Sequence, residues 1–363
     1  MMPAELRVMQ MIDSLSMAGA ERVSVNYANA IAELGHNSFL CTTREEGPLK
    51  ELVEDNVKIF FMQKKSLYDI KAYANLIKYV KENRISIIHA HSSSFFTAII
   101  VKLFTGVKVV WHDHNGNRMY AKSRFNFSVK YFSYFFDYVV CVNKNLKIWA
   151  VDNLITFQSK IIYLPNYAEL KFTKEAPMLP GLKGKRMVVL ANLRNPKDHL
   201  NILNAFSILK EKGFDEWHLL LVGEDKVDKY SDTLKSYIKT NDLKNNVSIL
   251  GARNDSAMIL KACDIGIICS ESEGLPMALL EYGLASLAVV STDVGECSAV
   301  LDDGKAGKLV PVHNSVLLAE SLEELISNSN IKESYARLYH KHIKLNYSKD
   351  MMINKIIEIY KSL

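Results

Sequence analysis

The sequence predicts an α/β protein built from two doubly wound domains. Three observations support this prediction. Short apolar or β-branched runs alternate with longer amphipathic segments from end to end, the alternation stops once and restarts, and 363 residues are enough for two domains. A βαβ rhythm of this kind forms a parallel sheet with helices on both faces. We therefore expect one parallel sheet in each half of the chain.

The first domain is predicted over residues 1–165. Its strand candidates are the runs RVMQMI, SFLCTT, VKIFFM, SIIHA, VKVVWH and YVVCV. The stretches between several of them have helical periodicity, as in ERVSVNYANAIAELG and DIKAYANLIKYVKEN. These features predict the strand and helix alternation of the first sheet.

The second domain is predicted over residues 166–346, after a turn-rich interval that contains prolines. Its strand candidates are the runs RMVVLANL, WHLLLVG, VSILG, IGIICS, AVVST and KLVPV. The amphipathic tail, about residues 347–363, follows no strand and needs a surface for its apolar side. It could cap either domain, and packing back on the first domain is one of these two outcomes.

Composition excludes several classes of protein. Apolar residues make up 48% and charged residues 23% of the chain, as in an ordinary globular protein. A formal charge of +5 without a dense Lys/Arg block argues against a nucleic-acid partner. Scattered cysteines without a CxxC pair, and no apolar run of membrane-spanning length, predict a cytoplasmic location. The cysteines are Cys41, Cys141, Cys263, Cys269 and Cys297.

The stretch SESEGLPMALLEYG, residues 270–283, places two carboxylates at a strand–loop–helix junction. DIGIICS before it is typical of a buried strand, and MALLEYGLA is typical of a helix. Glu273 precedes that helix, and Glu281 is predicted to lie about two turns into it, roughly 10–12 Å further along the axis. A carboxylate accepts hydrogen bonds from two hydroxyls, so this pair suits a sugar and a ribose, although the spacing alone is frequent by chance.

Cations and small residues follow two other predicted strands. Arg194 and Lys197 lie on the loop of ANLRNPKDH, where a guanidinium fork and an ammonium suit a diphosphate. Taken alone, such loop charges are more often simply solvated. In the first domain Gly19, between two alanines, opens a helix and would let an anion or sugar approach its amides, although a tight turn is an equal alternative. No GxGxxG fingerprint indicates a nicotinamide cofactor.

Five segments in this order resemble the retaining, nucleotide-sugar-dependent glycosyltransferases of family 4. The segments are MAGAERV, ANLRNPKDH, LLLVGED, SILGARND and ESEGLPMALLEYG. The resemblance implies the GT-B fold, two Rossmann-like domains facing across a cleft, with the acceptor bound by the first and the nucleotide sugar by the second. It also implies transfer from a UDP- or GDP-sugar to a hydroxyl of a glycan or lipid-linked acceptor, in surface polysaccharide or lipopolysaccharide biosynthesis.

The resemblance assigns donor contacts to residues of the second domain. Glu273 contacts hydroxyls of the donor sugar, and Glu281 holds the ribose. The remaining contacts are the backbone amides of Gly274 and Leu275 on the distal phosphate, Lys197 with Arg194 on the diphosphate, and Arg253 near the base.

In the first domain the resemblance places Gly19 near the reaction centre and His114 beside the donor sugar, with His112 as the alternative to His114. The chain departs from the family pattern at Asn192, where an arginine is typical and Arg194 could substitute. It departs again at residues 284–288, where many members have a small residue followed by Gly and Pro.

No metal or cofactor is expected. His89 and His91 lack further ligands at metal-site spacing, and Asp302-Asp303 is typical of a turn and not of a metal-binding DxD pair. The rival functions are a GT-B-fold epimerase, a phosphorylase and a non-catalytic nucleotide-sugar-binding protein. An intact set of Glu273, Glu281 and Lys197 argues against the last of these.

Residues 117–136 mix four basic residues with at least six aromatic rings. This composition suits the headgroup region of an anionic bilayer and predicts peripheral contact with the inner face of the cytoplasmic membrane. The alternative is a helix that buries one aromatic face on its own sheet. If both hold, Phe127, Tyr131 and Tyr134 point inward while the basic residues stay near the rim.

Overall fold

The structure is a computed structural model that describes residues 5–115, 124–170, 172 and 177–363. The chain forms two compact units, Met1–Tyr167 together with Lys349–Leu363, and Ala168–Ser348. Each unit contains a parallel sheet with helices in its crossover connections. The prediction of two doubly wound α/β halves is confirmed.

The described residues of the first unit form seven parallel strands: β1 (Arg7–Ile12), β2 (Asn37–Thr42), β3 (Lys58–Phe61), β4 (Ile87–His91), β5 (Lys108–Asp113), β6 (Tyr138–Cys141) and β7 (Ile161–Tyr163). Their order in the sheet is β3-β2-β1-β4-β5-β6-β7. The direction of winding reverses between β1 and β4, the switch point at which sheets of this class bind ligands. Strand β7 was not among the predicted strands.

The helices of this part of the chain are α1 (Gly19–Glu33), α2 (Ile70–Glu82), α3 (Phe95–Thr105), α4 (Arg124–Phe132) and α5 (Lys144–Asn153). Their apolar sides pack on the sheet, whose strands β1, β2, β4, β5 and β6 are almost completely buried. Helix α1 lies against β1 and β2, which places its N-terminus at the carboxyl end of β1.

The second unit contains, in its described residues, the strands β8 (Arg186–Leu190), β9 (His218–Val222), β10 (Val247–Gly251), β11 (Ile265–Ile268), β12 (Ala288–Thr292) and β13 (Lys308–Val310). Their order is β10-β9-β8-β11-β12-β13, so winding reverses between β8 and β11. The helices are α6 (His199–Glu211), α7 (Lys229–Thr240), α8 (Ser256–Lys261), α9 (Met277–Leu284), α10 (Cys297–Val300), α11 (Ser315–Ser327) and α12 (Ser329–Asn346).

Helix α9 is anchored on the sheet of the second unit by Tyr282. The ring lies against Gly266 of β11 so closely that a β-carbon at Gly266 would overlap it. The buried Tyr282 hydroxyl accepts a hydrogen bond from the Leu190 amide at 2.7 Å. Because Leu190 ends β8, this anchor holds α9 beside the switch point.

The tail forms helix α13 (Lys349–Lys361), which belongs to the first unit. Its buried face consists of Met352, Ile353, Ile356, Ile357, Ile359 and Tyr360. Lys349 at its start forms an ion pair with Glu33 of α1. The first unit therefore provides the surface that the apolar side of the tail requires.

The proposed membrane segment is described only in part, since residues 117–123 lie outside the described residues. Phe127, Tyr131 and Tyr134 are 64%, 52% and 73% exposed, so the prediction that they point inward is wrong. The buried apolar side chains here include Val129, which the helical period of α4 directs to the core, and Phe136, which follows the helix with an extended backbone. In the described ranges, no helix combines the length and apolarity required to cross a bilayer.

Candidate active site

Two loops meet at the carboxyl ends of β8 and β11. The Glu271 amide donates to the Pro196 carbonyl at 2.8 Å, and the Cys269 thiol donates to the Lys197 carbonyl at 3.1 Å. Asp198 then caps helix α6 by accepting from the Asn201 amide. These bonds fix the loop that contains Lys197 against the loop that contains Glu273.

Lys197 and Glu273 form an ion pair within this pair of loops. The Lys197 Nζ lies 2.5 Å from Glu273 Oε1, and the Ser270 hydroxyl donates to the same oxygen at 2.6 Å. The Lys197 side chain is 22% exposed and that of Glu273 is 10% exposed. Charge-assisted bonds of this kind are among the stronger protein hydrogen bonds, so both side chains are held in place while Lys197 stays accessible.

A third loop, after β12, supports the Glu273 backbone. Gly295 has φ +56°, and a β-carbon there would overlap the Glu273 carbonyl. The Glu296 amide donates to the Gly274 carbonyl at 3.0 Å. Only glycine combines this backbone conformation with so close an approach. Sequence analysis missed Gly295, although a glycine three residues after a predicted strand was a usable signal.

Glu281 is nearer the start of its helix than predicted. Helix α9 begins at Met277, because Pro276 has an extended backbone with ψ 118°. Glu281 therefore lies just over one turn into α9, and the prediction of two turns is wrong. Its side chain is mostly enclosed, since the residue is only 5% exposed. Leu275 is buried and Gly274 partly exposed in the segment before the helix.

The two arginines have different surroundings. Arg194 is exposed on the same loop as Lys197, whose amide donates to the Arg194 carbonyl at 2.9 Å. Arg253 donates to both carboxylate oxygens of Asp255, at 2.8 and 2.6 Å. This pairing raises the pKa of Arg253 and was not predicted. A ligand that uses the edge of the Arg253 guanidinium has to compete with Asp255.

Asn192 links two loops where an arginine is typical of the family resemblance. Its side-chain oxygen accepts from the Glu224 amide at 2.9 Å, and the Leu193 amide donates to the Glu224 carbonyl at 2.9 Å. Gly223 permits this approach, because a β-carbon there would overlap the Ala191 carbonyl. Asn192 thus ties the loop after β8 to the loop after β9.

In the first unit, Gly19 is exposed at the start of the 15-residue helix α1. The helix has Ala18 as its N-cap residue and no side-chain cap. An uncapped N-terminus leaves amides directed outward, where they favour an anion or a sugar oxygen. The predicted arrangement of small residues at a helix N-terminus is present.

His114 follows β5 and lies 3.0 Å, Nε2 to Nδ1, from His91. His114 is partly exposed, whereas His112 is fully buried and neither of its ring nitrogens has a hydrogen-bond partner in the described part of the chain. Of these two histidines, His114 is therefore the one accessible to a ligand. Burial lowers the pKa of His114 to about 3, so its ring is neutral.

The structure brings His112 to His89 and His91, which the spacing in the sequence did not reveal. Both nitrogens of His91 already have partners, Gln10 at 2.8 Å and His114 at 3.0 Å. A metal ion at these three rings would have to displace one of those bonds. A second group on the described surface, Asp198, Glu271 and His313, is largely exposed.

Two family models together match nearly the whole chain. The family described as Glycosyltransferase Family 4 matches residues 17–171, and the family described as Glycosyl transferases group 1 matches residues 173–344. The chain belongs to the family 4 glycosyltransferases. The resemblance found in the sequence is confirmed, and the protein is a glycosyl-transferring enzyme.

Two curated relatives from Escherichia coli are similar to this glycosyltransferase. One is the UDP-Gal:alpha-D-GlcNAc-diphosphoundecaprenol alpha-1,3-galactosyltransferase, 25% identical over 82% of each chain. The other is the O-antigen biosynthesis glycosyltransferase WbnH, 27% identical over 79% of this chain and 81% of the relative.

Among solved structures, Anabaena Alr3699/HepE in complex with UDP and glucose matches with a TM-score of 0.85. It is 17% identical and covers 99% of this chain and 100% of its own. At this identity the match establishes the fold alone, which is GT-B.

The glycosyltransferase site contains one side chain that sequence reasoning did not name. Ser270 belongs to the stretch of residues 270–283, where no role was predicted for it. In the structure its hydroxyl donates a hydrogen bond to Glu273. Its position three residues before Glu273 on a tight loop was the available signal. The resemblance had assigned Lys197 and Glu273 to separate parts of the donor, whereas the structure joins them in one ion pair.

Proposed function

We propose that this glycosyltransferase transfers a sugar, with retention of anomeric configuration, from a UDP- or GDP-sugar to a hydroxyl of a glycan or lipid-linked acceptor. The proposed pathway is surface polysaccharide or lipopolysaccharide biosynthesis. The names of the two relatives support a nucleotide-sugar donor and a lipid-linked or O-antigen acceptor. The observation that carries the proposal is the accessible Lys197 ammonium, held by Glu273 at the switch point of the second sheet.

Lys197 would stabilise the leaving group. As the bond from the sugar to the diphosphate breaks, negative charge develops on the diphosphate oxygens, and a fixed ammonium stabilises that charge more than it stabilises the ground state. Arg194, exposed on the same loop, would supply a second cation. The acceptor hydroxyl would attack the face that the diphosphate leaves, and its proton would pass to a phosphate oxygen.

The other contacts divide the donor among the remaining residues. Glu273 would accept from sugar hydroxyls, Glu281 from the ribose, and Arg253 would lie near the base. The amides of Gly274 and Leu275 would bind the distal phosphate, and Gly19 and His114 would lie near the reacting sugar. In this proposal side chains and amides supply all the positive charge, so transfer needs no metal ion or other cofactor.

A panel of nucleotide sugars tests the donor. A ligand that binds only the folded protein adds about 2.7 kcal/mol to the free energy of unfolding at 100 times its Kd. We expect one UDP- or GDP-sugar to raise Tm clearly more than the free sugar does. Failure of every nucleotide sugar to raise Tm would contradict the proposal. Conversion of a nucleotide sugar to its epimer without acceptor would indicate an epimerase instead.

Replacing Glu281 by alanine should chiefly raise KM for the donor. A ribose is held equally before and during transfer, so losing its contact changes donor binding more than kcat. Loss of hydrogen bonds to a charged group costs about 1.5–3 kcal/mol, roughly a 10- to 100-fold rise in KM. Steady-state kinetics at varied donor concentration measures this rise in KM. Glu281→Gln, which preserves the volume of this enclosed side chain, separates loss of the charge from loss of packing.

Weak peripheral membrane binding is expected through the exposed aromatic surface, defined as Phe127, Lys130, Tyr131 and Tyr134. The rings of Phe127 and Tyr131 lie 4.7 Å apart, centroid to centroid, on the exposed side of α4. Rings of this kind suit the headgroup region, and each basic residue near an anionic surface adds about 1 kcal/mol at most. Sedimentation with liposomes should increase with anionic lipid and decrease with salt.

A matched pair of variants locates this contact. Phe127→Ser with Tyr131→Ser should abolish co-sedimentation. Leu103→Ser with Phe104→Ser should not, although these two α3 side chains are each 63% exposed. Equal binding to neutral and anionic vesicles, or equal loss in both double variants, would reject the aromatic surface as the membrane contact.

A further inference from the structure

Four histidines lie together on one face of the first sheet. His89 and His91 are two residues apart on β4, so their side chains point to the same face. His91 pairs in register with His112 of β5, and His114 follows two residues later. Strand alternation and register alone therefore assemble the four rings.

Hydrogen bonds join these rings to two residues from distant parts of the chain. Tyr360 of α13 lies 2.5 Å, Oη to Nδ1, from His89, and the Gln10 side-chain nitrogen donates to the Tyr360 hydroxyl at 3.3 Å. The Gln10 side-chain oxygen lies 2.8 Å from His91 Nε2, and His91 Nδ1 lies 3.0 Å from His114 Nε2. A continuous chain of bonds thus leads from Tyr360 to His114.

The Gln10 side-chain nitrogen sets the direction of this chain. An amide nitrogen only donates, so the Tyr360 oxygen accepts from Gln10 and its own O–H is left for His89 Nδ1. This orients the Gln10 amide with its oxygen toward His91. An amide oxygen only accepts, so the proton of His91 is on Nε2.

The tautomer of His91 determines that of His114. Burial, with the neighbouring histidines, holds the pKa of His91 well below its usual range, so the ring is neutral and its Nδ1 has a lone pair. That lone pair accepts from His114 Nε2–H, along a bond between rings inclined by only 18°. His114 is neutral as well, so its Nδ1 also has a lone pair. Within the described residues, that nitrogen has no hydrogen-bond partner.

We propose that Gln10 and Tyr360 are positioning residues that fix His114 as its Nε2–H tautomer, so that His114 Nδ1 accepts a hydrogen bond from a hydroxyl of the donor sugar. The contact with the sugar rests on the proposed function, whereas the tautomer does not. In the opposite tautomer His114 Nδ1 would carry the proton, and it could donate a hydrogen bond but not accept one.

Histidine ¹⁵N chemical shifts of the full-length protein without substrate test the tautomer. We expect the His114 resonances, assigned by their loss in His114→Asn, to have a protonated Nε2 and an unprotonated Nδ1. Tyr360→Phe removes the bond that orients the Gln10 amide and should produce a mixture of both tautomers. Gln10→Met, which removes both Gln10 bonds, should do the same and serves if Tyr360→Phe does not fold.

Tyr27→Phe is the matched control. Its hydroxyl is also buried and its ring contacts His89, His91 and His112, but the hydroxyl has no hydrogen-bond partner in the described part of the chain. We expect Tyr27→Phe to leave the His114 shifts unchanged. A protonated Nδ1 in the wild type, equal changes in Tyr27→Phe and Tyr360→Phe, or one equivalent of Zn²⁺ bound through His91 would each overturn the proposal.

Measurements of enzyme activity test whether sugar transfer depends on the His114 tautomer. If only the Nε2–H tautomer is competent, kcat/KM for the donor should fall in proportion to the fraction of His114 that keeps it, about twofold for an even mixture. Activity that does not follow this fraction across the variants would remove the contact with the sugar. Failure of the proposed function itself would differ, because the wild type would transfer no sugar while the His114 shifts stayed as expected.

Discussion

Replacement of Lys197 by alanine is expected to lower kcat by about two to three orders of magnitude. Removing one preorganised charge from a transition state costs on the order of 3–4 kcal/mol. The fold should survive, because the Lys197 side chain is partly exposed and Glu273 keeps the Ser270 hydroxyl as a partner. Turnover with a saturating donor and the free energy of unfolding should be measured on the same preparation.

Lys210→Ala is the matched control for this variant. Lys210 lies on α6 of the same unit, is 29% exposed against 22% for Lys197, and forms an ion pair with Asp242 at 3.1 Å. The Lys210→Ala variant therefore removes a lysine and an ion pair but leaves the loops at the switch point unchanged. Near wild-type turnover in Lys197→Ala, or an equal loss in Lys210→Ala, would exclude Lys197 as the residue that stabilises the leaving group.

Glu273→Ala should lower kcat by about one to two orders of magnitude. A hydrogen bond to a charged group is worth about 1.5–3 kcal/mol, and this one would be made to the reacting sugar. The same change removes the carboxylate that holds Lys197 in place. Steady-state kinetics should show the loss mainly in kcat, in contrast to the KM effect expected for Glu281→Ala. An exchange of these two kinetic signatures would overturn the assignment of roles.

Glu271→Ala is the control for Glu273, since Glu271 is an exposed carboxylate two residues earlier on the same loop. We expect it to retain near wild-type kcat. The double variant Lys197→Ala, Glu273→Ala adds a test of the ion pair, because residues in direct contact give non-additive losses. Strictly additive losses in activity would mean that Glu273 does not position Lys197.

The sequence alone determined the architecture of each half and the loops that carry the candidate site. Alternation of apolar and amphipathic runs is a local property, so it predicted the strands from RVMQMI to KLVPV. Of the described strands, β7 was the one that this alternation did not predict. In parallel sheets ligands bind at the carboxyl ends of strands, so the loops with Lys197 and Glu273 were identified from the strands that precede them.

Tertiary structure decided which of these residues meet. Lys197 and Glu273 are 76 residues apart, and they pair because β8 and β11 are neighbours in a sheet whose order local periodicity does not encode. Tyr360 reaches His89 across 271 residues, because α13 packs on the first unit. Phe127 and Tyr131 of α4 also point outward against expectation. Strand order, long-range packing and the rotation of a helix on its sheet depend on the free energy of the whole core, and a local sequence pattern does not determine them.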